Sequence, residues 1–100
     1  METEIPEFII ADVVRSIAGR DADKLFYVIG EDDGFLLLAN GKDRSFEKPK
    51  RKKRKHAQKV LRSETRVAEK LRAGDKVLNS ELRRDLAYLS QILQGNTPGG

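Results

Sequence analysis

Three runs rich in β-branched and aromatic residues, at 8–17, 25–29 and Phe35–Ala39, are joined by connections of seven residues or fewer. A parallel crossover needs about a dozen residues or more, so neighbouring strands in this region must be antiparallel. The joins carry turn chemistry: Asp32-Asp33-Gly34 follows the second run and Asn40-Gly41 the third, each with a glycine free to take positive φ. A fourth run, Arg44-Ser45-Phe46-Glu47, alternates with period two and reads as a strand after an Asn-Gly hairpin. Apolar residues stand on consecutive positions, as at Val13-Val14 and 35–38, which predicts strands covered on both faces. In a chain of 100 residues this favours a small sheet curled on itself over a flat one. Five of the six aromatics, Phe8, Phe26, Tyr27, Phe35 and Phe46, lie in this first part, so the aromatic core belongs to it.

The apolar period then changes. Leu82, Leu86, Leu89 and Leu93 recur on one stripe of an amphipathic helix. Asn79 or Ser80 can cap its start, Glu81 suits the positive end of its dipole, and Gly95 stands where a C′ glycine belongs. A shorter helix is predicted from a Ser63 cap through Val67 and Leu71 to Gly74. The expected organisation is mainly β: a small barrel with a basic arm over 1–56, a helical extension over 57–95 and a disordered tail over 96–100. The leucine stripe must bury its face, either on the barrel or on a protein partner.

Charge is divided unevenly along the chain. The net charge is +4, yet residues 1–41 hold 3 basic and 9 acidic residues, residues 42–62 hold 11 and 2, and residues 63–100 hold 6 and 5. The excess is concentrated in Lys48, Lys50, Arg51, Lys52, Lys53, Arg54 and Lys55, interrupted only by Pro49. Like charges so dense repel, which predicts an extended arm; nucleic-acid phosphates relieve the repulsion, and counterion release supplies salt-dependent affinity. Seven such contacts would give a log K against log salt slope of about −5 to −6. No aromatic residue lies between Lys48 and Arg62, so helical RNA or DNA suits the run better than unstacked single strands. A solvated charge run and a localisation signal are the competing readings.

Several classes fall away. The chain has no cysteine, hence no disulfide, thiol nucleophile or thiolate metal site. No apolar run exceeds five residues, against about 20 needed to span a bilayer, and the acidic Glu2, Glu4 and Glu7 do not resemble a secretory signal. A cytoplasmic, membrane-free protein is expected. His56 is the only histidine and sits among cations, and Glu31-Asp32-Asp33 reads as a solvated turn. With no phosphate loop, metal-ligand spacing or nucleophile elbow, no catalytic residue, metal or cofactor is expected.

One stretch carries a resemblance. Val13-Val14-Arg15-Ser16, Ala18-Gly19-Arg20-Asp21 and the apolar 25–29 are similar to the KOW motif, an apolar strand, a Gly-basic-Asp turn and a second strand. The basic run followed by His56 resembles the sequence that small KOW-domain RNA-binding proteins carry; these are relatives of KOW-containing large-subunit ribosomal proteins. The likeness covers about residues 8–56. Two departures stand out: family members often have glycine where Ala11 stands, and Lys-Gly where Ala22-Asp23 stands. The resemblance implies an SH3-like barrel, RNA as the partner, most readily rRNA on the ribosome, and no catalysis. The expected RNA contacts are then Arg20 and Lys24 in the first loop, Lys42 and Arg44 beside the Asn-Gly turn, Lys48, Lys50, Arg51, Lys52, Lys53, Arg54 and Lys55 in the basic run, and Lys59 beyond it. A transcription-associated KOW protein is the rival within this class. An interaction adaptor, using the helix stripe and carrying a basic localisation signal, is the rival outside it.

Overall fold

The computed structural model describes residues 7–95. Five strands form one antiparallel sheet: β1 (Asp12–Ser16), β2 (Leu25–Asp32), β3 (Phe35–Ala39), β4 (Lys50–Lys52) and β5 (Ala57–Arg62). Two helices follow, α1 (Arg66–Arg72) and α2 (Asn79–Leu93). The strand order is β4-β3-β2-β1-β5. The protein is therefore a small, mainly β domain with two C-terminal helices.

The sheet's two edges are consecutive in sequence, and that fact sets its shape. In a flat five-stranded sheet β4 and β5 would lie about 19 Å apart, at ~4.8 Å per strand spacing. Only residues 53–56 join them, and Arg54–His56 form a 3₁₀ turn that rises just ~2 Å per residue. The sheet is consequently bent until its edges approach, although β4 and β5 do not pair and the sheet is not closed. Bulges supply part of the bend: β1 shifts register against β5 between Val13 and Val14, and β2 against β3 between Val28 and Gly30.

Both faces are covered, as the consecutive apolar positions require. Val14, Phe26, Val28, Leu36, Leu38 and Ala57 form the core inside the bend. Their neighbours Val13, Tyr27 and Ala39 point the other way and pack with Val67, Ala68 and Leu71 of α1 and Leu82, Leu86 and Leu89 of α2. Period-two alternation thus feeds two cores at once. Between sheet and helices the Tyr27 hydroxyl bonds Ser63 Oγ at 2.8 Å and the Asp85 carboxylate, which also accepts from Thr65 Oγ1 at 2.8 Å. Burial first, and then the hydrogen bond to Asp85, push the Tyr27 phenol above its ordinary range, so it stays a donor.

Several expectations are corrected. Residues 44–47 are not a strand: Asn40 Oδ1 accepts from the backbone N–H groups of Lys42, Asp43 and Arg44, which winds this stretch into a loop. The fourth strand is instead Lys50–Lys52, inside the basic run. Residues 57–62 belong to the sheet as β5, so the helical part begins after Arg62. Thr65 caps α1, accepting from Ala68 N at 3.2 Å, while Ser63 is turned toward Tyr27. Leu78 takes the cap position of α2, with its N–H donating to Glu81 Oε1 at 2.9 Å. Asn79 is committed to the 45–47 loop, accepting from Phe46 N and donating to Glu47. The leucine stripe packs on the sheet through Leu82, Leu86 and Leu89, whereas Leu93 is 38% exposed. Gly95 does end α2, with φ +84° and its N–H on Ile92 O. The tail at 96–100 lies outside the described residues.

Candidate nucleic-acid interface

The basic run is an ordered part of the sheet, held by the carboxylates of the acidic first part, and this overturns the expected free arm. The Gly19-Arg20-Asp21 turn lies within the first connection, residues 17–24, with Asp21 buried. Asp21 Oδ1 accepts from Ser16 Oγ at 2.8 Å and Lys52 Nζ at 3.0 Å, and Lys50 Nζ lies 2.9 Å from Oδ2. Lys52 Nζ also donates to Ala18 O at 3.0 Å, so this lysine ties the β4 edge to the first loop across the open side of the sheet. Burial alone would raise the Asp21 pKa. The Lys50, Ser16 and Lys52 partners more than reverse it, and the carboxyl sits well below the usual carboxylate range.

The same complementarity recurs around the sheet. Arg51 pairs with Asp32 at 3.4 Å and Arg54 with Glu31 at the β2–β3 turn. Buried Asp12 lies 3.3 Å from Lys59 and 3.5 Å from Arg62. Lys24 pairs with Asp43 at 2.9 Å, and this bond, with Asn40, lowers the Asp43 pKa. The charge split along the sequence therefore becomes charge pairing in the fold.

The twelve expected contacts divide accordingly. Lys24, Lys50, Arg51, Lys52, Arg54 and Lys59 are committed to carboxylates, and Lys52, at 7% exposure, is interior. Arg20, Lys42, Arg44, Lys48, Lys53 and Lys55 are exposed and make no ion pair among the described residues. Arg20 borders the Asp21 cluster, Lys42 and Arg44 flank Asp43 in the Asn40 loop, Lys53 precedes the 3₁₀ turn and Lys55 lies within it. Two cations outside the expected set join them. Arg15 and Arg83 line, with Lys24 and Lys42, a cleft of about 490 Å³ between the first loop, the Asn40 loop and α2. Arg15 stands in β1, and no local signal marks Arg83, because α2 reaches the cleft only through tertiary packing.

The two departures from the KOW pattern share a backbone feature. Ala11 has φ +77° and Asp23 φ +74°, so both occupy the left-handed region where glycine is favoured. Asp23 is exposed, and its N–H is fixed on Ser16 O at 2.7 Å. Asp23→Gly is expected to relieve more strain than it adds chain entropy, raising stability by about 0.5 kcal/mol and Tm by a few degrees. A thermal melt that moves downward would contradict this.

His56 sits in the 3₁₀ turn, and its backbone carbonyl accepts from Ile17 N at 3.0 Å. No cluster of metal-ligating side chains occurs among the described residues, and none of their helices is long and apolar enough to cross a membrane. No family model matches this sequence, and no curated protein matches it.

Proposed function

We propose that the protein is a non-catalytic RNA-binding protein of the small KOW type, acting at rRNA on or near the ribosome, with its bent sheet serving as an SH3-like barrel. The observation that carries this reading is the set of six exposed cations that make no ion pair among the described residues, placed on the turns and loops that join the strands rather than on a free arm. Fixed cations engage phosphates with little ordering cost, and a surface that presents backbone contacts reads the shape of folded RNA more than its sequence. The left-handed backbone at Ala11 and Asp23, where KOW proteins often carry glycine, supports the family reading, as does an Asp in the Gly-basic-Asp turn that anchors the basic strand.

The adaptor alternative needs the leucine stripe for a partner, but Leu82, Leu86 and Leu89 are already buried against the sheet and α1. The transcription-associated alternative differs in where the protein resides. Sedimentation of a cell lysate at low salt should place the protein with ribosomal particles; a position wholly in the light fraction would exclude ribosomal residence.

The mechanism makes a second, quantitative prediction. An ion-paired cation must give up its carboxylate before it meets a phosphate, so of the twelve expected contacts only the six that make no ion pair among the described residues count fully. The slope of log K against log salt should be about −4 to −5, taking ~0.7–0.9 per contact, rather than the steeper value a free arm implies. Replacing Lys53 and Lys55 by glutamine should reduce its magnitude by about 1.5, equally for every RNA sequence. A loss confined to one sequence would point to base readout and count against the mechanism.

A further inference from the structure

Folding brings an aromatic ring into the basic surface, although none lies between residues 48 and 62 of the chain. Phe35 opens β3, which pairs with β4 in the register Leu36↔Lys52 and Leu37↔Arg51. This places the Arg51 guanidinium over the Phe35 ring, 4.4 Å from its centroid. The ring also walls a cavity of about 250 Å³, bounded by Asp33 and Gly34 of the β2–β3 turn and by Lys53, Arg54 and Lys55. That volume falls below the ~300–1,000 Å³ of pockets for drug-sized molecules and suits one planar ring system.

The surroundings narrow the ligand. Arg54 is held in place by Glu31 and by Gly34 O at 3.3 Å, so it frames the cavity and does not sweep across it. Lys53 and Lys55 make no ion pair among the described residues, and Asp33 is the one acid among the residues that line the space. An open, mainly carbon-lined pocket with an aromatic wall and two ammonium groups that make no ion pair among the described residues matches a nucleobase and its phosphates. Bases stack on aromatic rings whatever their identity, and cations at the rim hold the backbone.

We infer that this cavity takes one unstacked nucleotide of the bound RNA, its base against Phe35 and its phosphates on Lys53 and Lys55. The inference rests on the RNA-binding reading above and adds a requirement to it. The RNA must be a folded helix that carries a bulged or splayed nucleotide, since a perfect duplex has no free base to offer.

Two RNA hairpins test it, with identical stems of about 16 base pairs, one of them interrupted by a single bulged adenosine. Titrated with the full chain at fixed salt, the bulged hairpin should bind about tenfold tighter. Phe35→Leu should abolish that preference and leave affinity for the perfect stem unchanged. Phe35→Tyr, which keeps the ring, should retain the preference, separating loss of stacking from loss of fold. Equal affinity of the wild-type protein for both hairpins, or a preference that survives Phe35→Leu, overturns the nucleotide site while RNA binding stands. Absence of binding to either hairpin up to ~100 μM overturns the RNA reading itself.

Discussion

Asp21→Asn is expected to lower the melting temperature by roughly 12–40 °C. The substitution keeps the size and shape of the side chain but removes the charge that Lys50 and Lys52 share. Lys50 is a quarter exposed and can turn to water; Lys52, at 7%, cannot. Leaving one partner of a buried pair charged and alone costs about 3–5 kcal/mol, and each kcal/mol moves the Tm of a domain this size by ~4–8 °C. Against a total stability of ~5–15 kcal/mol this is a large share. The double variant Asp21→Asn/Lys52→Met removes both charges and should regain much of the loss. A single variant that melts within about 2 °C of wild type would show that the cluster carries little stability.

The same residue sets the response to acid. Its pKa is depressed in the folded protein, so its stabilisation is complete above the unfolded value of ~3.9 and is lost as pH falls below that toward the folded value. Wild-type stability should therefore decline steeply below about pH 4, and the decline should be shallower in Asp21→Asn.

Gly41→Ala should be nearly as damaging, by a steric route. A Cβ at Gly41 would lie 2.2 Å from Asn79 O and 3.1 Å from Leu82 Cβ, and the residue has φ +78°. Backbone at the start of α2 would have to move, withdrawing Leu82 from the core and Arg83 from its bond to Gly41 O. Left-handed strain of ~1–2 kcal/mol plus overpacking of ~1–3 kcal/mol gives a loss of roughly 2–5 kcal/mol. Gly34→Ala is the matched control, with φ +84° and no atom within 4 Å of the added Cβ. It should cost only the strain, about 1–2 kcal/mol, so the two urea midpoints should differ clearly. Equal losses would mean that the helix accommodates the methyl group freely.

These two residues also show what the sequence displays and what it conceals. Asn40-Gly41 announces positive φ correctly, but reads as a hairpin because the helix that crowds Gly41 arrives 38 positions later. Phe35–Ala39 is legible to the residue, and 25–29 nearly so, since alternation and β-branching are local properties. Lys50–Lys52 is not legible as a strand. Read locally, its cations repel; the carboxylate that orders them is Asp21, separated from Lys52 by 31 positions. For the same reason six of the twelve expected contacts are committed within the fold, and Phe35 is hidden as a neighbour of Arg51. α2 was readable from its leucines, but its cap was not, because Asn79 serves a loop instead of its own helix.

The pairing of β1 with β5 joins Asp12 to Arg62 and Ser16 to Ala57. During synthesis the first strand must therefore wait for the last, and the loop between them closes only after the whole basic segment has been made. Until then the β2–β3 hairpin stands with both apolar faces bare on a chain whose leading part is strongly negative. The acidic residues of the first part, Asp12, Asp21, Glu31 and Asp32, meet the basic segment as it folds onto them and become the counter-charge of the finished sheet.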